Sequence, residues 1–142
     1  MNQWFNKYTD IPYKLFGTDP TTGMDCFNLL CYVFKQEAGI LIPYTSSDFL
    51  NMVDDLWFTK THEQHFLNGS KNGDWVEVST LQPYDLILMC LGATNVVNHV
   101  AMYVGNNKIL QMIENRDSAI YDYHKYFRQY TIKKVRWKSL VS

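Results

Sequence analysis

The chain has 142 residues, 46% of them hydrophobic and 19% charged, with a net charge of −1. That length buries enough surface to fold as one domain without staples, and the composition excludes a disordered chain. A charge so near zero gives no strong pull toward nucleic acid or an anionic membrane. No run approaches the roughly 18 apolar residues of a membrane span. Three cysteines are too few, and odd in number, for a disulfide framework. The opening run Met1-Asn-Gln-Trp-Phe-Asn-Lys7 has no apolar stretch of leader length, so synthesis in the cytosol is expected, with delivery by something other than a leader. Repeats, low-complexity tracts and Pro/Gly/Ser linkers are absent, which makes residues 1–142 a single domain.

Residues 1–10 are expected to begin as a short helix with Trp4, Phe5 and Tyr8 on one side. Pro12, Gly17, Asp19-Pro20 and Gly23 then mark a turn-rich stretch. Phe27, Leu30, Val33 and Phe34 recur at helical spacing from Asp25 to about Ala38, with Asp25 as cap and Gly39 as stop. A second short helix is expected after Pro43, begun by Thr45-Ser46-Ser47 and carrying Phe49, Leu50 and Val53. Residues 56–74 are ambiguous. The period then changes to that of strands, at 75–78, 85–90, 99–104, 108–112 and 130–135, with Gly105-Asn106-Asn107 as a tight hairpin. Residues 121–127 read as an aromatic helix or loop. Helices first and an antiparallel sheet after make an α+β domain, with its helices on one side of a sheet of about five or six strands.

Cys26 falls in the first turn of the first helix, where the helix end favours thiolate over thiol. A thiolate is the nucleophile of a cysteine hydrolase; the alternative is a small buried hydrophobe. Cys31 and Cys90 read as core. His99 opens an apolar strand, a suitable place for a general base, although an edge histidine with a structural hydrogen bond is the plainer reading. Gln111 shares a strand face with Ile109 and Ile113, and a polar side chain there needs a partner such as an imidazole. It could fix the ring's tautomer but could not offset an imidazolium charge. The His62/His65 and Cys26/Cys31 spacings match no metal motif, and no Walker loop, GxGxxG or GxSxG occurs, so neither metal nor cofactor is expected.

Six segments carry a resemblance. They are Ile11-Pro-Tyr13 with Gly17; Gly23-Met-Asp25-Cys26 with Leu29; Gly39-Ile-Leu-Ile-Pro43; Pro83-Tyr-Asp85-Leu-Ile87; His99-Val-Ala-Met-Tyr-Val-Gly105; and the strand bearing Gln111. In order and spacing, over about residues 10–137, they resemble the NlpC family of papain-like cysteine peptidases. The resemblance implies a papain-like NlpC fold, with Cys26 as nucleophile, His99 as base and later acid, and Gln111 orienting the imidazole. It implies that the amide of Cys26 helps to bind the oxyanion, and that Tyr13 and Asp25 line the cleft and hold a free amino group of a stem peptide. The substrate implied is the peptide part of peptidoglycan, cut between γ-D-glutamate and the diamino acid. Two positions depart from the family's Asp-Cys-Ser-Gly: Phe27 and Asn28 stand where Ser and Gly are usual.

An aromatic after the cysteine, an expected compact lone catalytic domain and the Trp-bearing end Val135-Arg-Trp137 are similar to the NlpC-type domains of bacteriophage tails. That similarity implies tail proteins as partners and a virion-borne enzyme acting at the bacterial wall, with no nucleic acid bound and no membrane insertion. Phe27, Asn28 and Gln111 also motivate an alternative, a structural tail component with weak or no catalysis. A third reading is a thiol amidase or acyltransferase on the same fold.

Overall fold

The structure is a computed structural model that describes residues 3–47, 73–91 and 99–141. The chain starts with a 3-10 turn, Trp4–Tyr8, which buries Phe5 and Tyr8. Two two-residue strands follow, β1 (Thr18–Asp19) and β2 (Gly23–Met24), paired antiparallel. Helix α1 runs Cys26–Val33 and widens into a π turn over Phe34–Ala38. It stops at Gly39, whose φ of 66° is the left-handed conformation that glycine adopts without a Cβ penalty. Ser46 and Ser47 are helical; Phe49, Leu50 and Val53 of the expected second helix, residues 56–72, and with them His62 and His65, lie outside the described residues.

The remaining strands are β3 (Trp75–Glu77), β4 (Leu86–Met89), β5 (His99–Gly105), β6 (Lys108–Gln111), β7 (Ala119–Asp122) and β8 (Thr131–Trp137). They form one antiparallel sheet in the order β3-β8-β4-β5-β6-β7. This is the expected α+β layout. Residues 121–127 divide between two elements. Tyr121 and Ile120 pair with Ile109 and Leu110 along the open edge of β6, and a short helix α2 (Lys125–Gln129) follows. Pairing of that edge outweighs the helical pattern because an uncovered strand leaves backbone groups unsatisfied. Asn106 and Asn107, at φ of 53° and 58°, make the β5–β6 turn, both residues in the left-handed region that a two-residue hairpin requires.

Alternation along the central strands separates two cores. Leu86, Leu88, Val100, Met102, Val104 and Leu110 face α1 and the N-terminal turn. Ile87, Met89, Ala101 and Ile109 face Tyr123 and Phe127 on the opposite side. Covering both faces explains why β4 is an unbroken apolar run rather than an alternating one. Among the described residues, no helix is long and apolar enough to cross a membrane.

The Pro83-Tyr-Asp85 segment has a structural purpose. Asp85 is fully buried, and Arg136 on the neighbouring β8 grips it with two bonds of 2.7 Å, from Nε and Nη2. The Gln82 amide adds a third at 2.8 Å. Removing one partner of a buried pair strands the other's charge, which costs about 3–5 kcal/mol. Arg136→Met is therefore expected to lower the urea-unfolding free energy by about that much. The double variant Asp85→Leu/Arg136→Met should lose less than Arg136→Met alone. A single-variant loss below about 1 kcal/mol would show that β4 and β8 do not depend on this clamp.

Candidate active site

The N-terminus of α1 is held by a clasp centred on Asp25. Its Oδ1 accepts the Asn28 amide at 2.9 Å, the ordinary N-cap bond. Its Oδ2 accepts the Phe16 amide at 2.9 Å and the Ser46 hydroxyl at 2.5 Å. Asn28 extends the clasp, donating from Nδ2 to the Gly17 carbonyl and accepting the Ser46 amide on Oδ1, both at 2.9 Å. Gly17 is required by close approach, since a Cβ there would lie 2.2 Å from the Gly23 carbonyl oxygen. Asp25 is only 2% exposed. Burial raises its carboxyl pKa, and the three donors partly offset that.

This clasp places Cys26 at the first position of α1, buried against β5. The backbone N–H of Val100, the residue after His99, is directed at the sulfur and favours negative charge there. Burial and the neighbouring Asp25 carboxylate outweigh it and push the thiol well above its ordinary range. The sequence led us to expect the opposite, a thiolate favoured by the helix end. Desolvation of a fully enclosed sulfur exceeds what a partial helix charge supplies.

His99 opens β5 and Gln111 closes β6, the antiparallel strand beside it. Their side chains meet in the interior, with His99 Nε2 and Gln111 Oε1 2.8 Å apart. With the amide oxygen accepting, Nε2 carries the proton and Nδ1 keeps its lone pair. Burial holds the imidazole pKa down to about 4, and the bond to Gln111 offsets only part of the effect. Gln111 Nε2 is buried without a partner. No hydrogen bond joins Cys26 to His99 in this arrangement, although α1 docks on β5 and the N–H of Val100, next to His99, reaches the Cys26 sulfur.

Tyr13 is half-buried on the loop beside the clasp, where its backbone bridges Met24. The two departures from the Asp-Cys-Ser-Gly pattern are both absorbed by packing. Phe27 is buried and stacks on Tyr44 at 6.2 Å between centroids. Asn28 supplies the clasp bonds that a glycine could not. Cys31 donates weakly to the Tyr44 carbonyl at 3.8 Å and lines a separate pocket of about 290 Å³ with Tyr32, Lys35 and Leu41. Cys90 is buried at the end of β4. Sequence reasoning missed Ser46 as a clasp member. The run Thr45-Ser46-Ser47 signalled a helix start, but nothing in it indicated which carboxylate the hydroxyl would reach.

Residues 10–136 match the model of the NlpC/P60 family. The chain is 29% identical over 100 residues to "Murein DD-endopeptidase MepH" of Escherichia coli (strain K12), covering 70% of this chain and 30% of that protein. It is 30% identical over 117 residues to "Bifunctional muramidase/DL-endopeptidase CwlT" of Bacillus subtilis (strain 168), covering 80% and 28%. The chain thus spans about a third or less of the curated relatives it matches. A crystal structure of an NlpC/P60 family protein from Bacillus cereus superposes with a TM-score of 0.60 at 25% identity, over 90% of this chain and 36% of that one. The NlpC/p60 domain of the peptidoglycan hydrolase SagA superposes with a TM-score of 0.54 at 21% identity, over 92% and 90%, which speaks to the fold alone. Matched over nearly its whole length by the family model, the chain belongs to the NlpC/P60 family.

Proposed function

We propose that this domain is a cysteine peptidase that hydrolyses an amide bond in the peptide stem of peptidoglycan. The observation that carries the reading is the His99–Gln111 bond, which leaves Nδ1 as a free base on β5, the strand on which the Cys26 helix docks. The curated relatives named above are a murein DD-endopeptidase and a bifunctional muramidase/DL-endopeptidase, and that supports the substrate class.

In the proposed reaction the thiol proton passes to His99 Nδ1 as the sulfur attacks the scissile carbonyl. The backbone N–H of Cys26, in the unsatisfied first turn of α1, donates to the oxyanion. Collapse breaks the C–N bond, and the leaving amine takes the proton from His99. Water, deprotonated by His99, then releases the acyl group and restores the thiol. Gln111 holds the ring in the Nε2–H tautomer throughout. Because its amide is neutral, the resting pair is thiol and imidazole rather than an ion pair, and the proton moves only when substrate tightens the approach. Tyr13 forms one wall of the cleft. Asp25, already taking three donors, acts on the substrate chiefly through the helix end it fixes.

The finer readings are proposals of the same kind. The bond we favour is γ-D-glutamyl to diamino acid. Carriage by a bacteriophage tail rests on the resemblance carried by Phe27 and the Val135-Arg-Trp137 end; the curated relatives named here are from bacteria.

Cys26→Ala is expected to abolish release of stem fragments from purified peptidoglycan. His99→Ala should cost about 10²–10⁴-fold in kcat/KM, and Gln111→Ala about tenfold or more, the worth of one buried hydrogen bond. The masses of the released fragments identify the bond. Unchanged hydrolysis by Cys26→Ala would end the proposal.

Titration supplies a further check. The folded imidazole takes its proton near pH 4, whereas the unfolded one takes it near 6.5. Between those values the unfolded state binds more protons, so stability falls as the pH drops through that window. The loss is expected to reach about 3 kcal/mol. Urea melts of the parent should show this slope and those of His99→Gln should not. Alkylation of Cys26 by iodoacetamide at pH 7 should be slower than that of a free cysteine, since its thiol is raised.

A further inference from the structure

Charge is strongly segregated along this near-neutral chain. Residues 1–107 hold eleven acids and five bases, while residues 108–142 hold eight bases and three acids. Among the described residues, Lys7 pairs with Glu37, Lys108 with Asp122, Arg136 with Asp85 and Lys138 with Asp74. Among the described residues, Lys125, Arg128 and Lys134 have no carboxylate within ion-pair distance, and neither have Lys14, Lys35 and Arg116 elsewhere on the chain. Arg128 and Lys134 converge with Lys133 and Ser79 on a groove of about 350 Å³, where β8 runs past the end of β3. Lys125 stands one turn before Arg128 on α2 and adds to the same field.

The groove is preorganised. Arg128 donates from Nε to the Tyr123 carbonyl and from Nη2 to Asn107 Oδ1, each at 3.0 Å, and lies 4.9 Å from the Tyr123 ring centroid. Its guanidinium is thus fixed by neutral groups, with its charge unspent. Among the described residues, one carboxylate, Glu77, lines the groove beside Arg128 and Lys134.

We propose that this groove docks a linear phosphodiester polyanion of the cell wall, at a site separate from Cys26 and His99. Arginine and lysine side chains at fixed spacing suit monoanionic phosphates that repeat along a flexible strand. A nucleic-acid duplex fits less well, because the acid-rich remainder of the chain would repel its broad charged face. The choice of a wall polymer rests on the peptidase reading. The binding site itself does not, so the two can fail separately. Such a site tethers the domain beside its substrate and raises the local concentration of stem peptide.

The test uses the full chain carrying Cys26→Ala, so that binding is read without hydrolysis. Labelled sodium polyphosphate is titrated, and retention is measured on walls before and after hydrofluoric acid strips their phosphodiesters. Lys125→Glu/Lys134→Glu should weaken polyphosphate binding tenfold or more and abolish the difference between the two wall preparations. Arg128 is left in place because it also braces Tyr123. Raising salt from 50 to 200 mM should weaken parent binding about tenfold. In the Cys26-intact chain the same pair should leave hydrolysis of a soluble stem peptide within about twofold. Lys134→Gln, with circular dichroism, guards against misfolding and should give a smaller loss of the same kind. Equal retention on stripped walls, or undiminished binding by the charge-reversed pair, overturns the proposal. Equal or tighter binding of duplex DNA, lost in the same variants, overturns it in favour of a nucleic-acid site. Absent hydrolysis in every chain alongside the expected binding pattern overturns the peptidase reading and leaves the groove's anion binding standing.

Discussion

The architecture of the site depends on one buried carboxylate. Asp25 gathers the Asn28 amide, the Phe16 amide and the Ser46 hydroxyl, and so ties together α1, the loop before it and the segment after Pro43. A nucleophile at the first position of a helix is only as well placed as that helix end. Gly17 and Asn28 belong to the same device. One permits the loop to approach the Gly23 backbone, and the other bonds that loop on one side and Ser46 on the other. The Asp that precedes Cys26 is therefore first a structural requirement.

The chemistry follows from burial. Cys26, His99 and Gln111 are all enclosed, and enclosure disfavours a charge on any of them. A carboxylate in place of Gln111 would stabilise an imidazolium, and a thiolate–imidazolium pair could then persist at rest. The neutral amide selects the tautomer and goes no further. In the proposed reaction the cost is a nucleophile that is weak until substrate arrives; the gain is a thiol that resists stray electrophiles. The orphaned Nε2 of Gln111 is part of the same compromise, a buried donor left unmade so that Oε1 can face the ring.

Much of this was legible in the residues. The helical spacing of Phe27, Leu30 and Val33, the apolar runs around Ile87 and Ala101, and the Asn106-Asn107 turn each follow from period and turn chemistry. Gln111 stood out because a polar residue in an apolar strand requires a partner. Pairings of long range were not legible. Ser46 reaching Asp25 and Arg136 gripping Asp85 depend on how distant segments meet, and β7 forms because β6 offers an edge, which no local pattern records. The raised Cys26 thiol was hidden for a related reason. The helix-end effect is local and visible in sequence, while the desolvation that exceeds it comes from the sheet packed above.

The central claim is that the proposed catalytic pair, Cys26 and His99, rests uncharged, with Gln111 choosing the imidazole tautomer. Long-range ¹H–¹⁵N correlation of the His99 ring, in uniformly labelled protein between pH 5 and 8, reads this directly. The account predicts a neutral ring protonated at Nε2 across that range, and the opposite tautomer or a mixture once Gln111 is replaced by alanine. An imidazolium pattern at pH 7, or a proton on Nδ1 in the parent chain, would contradict it.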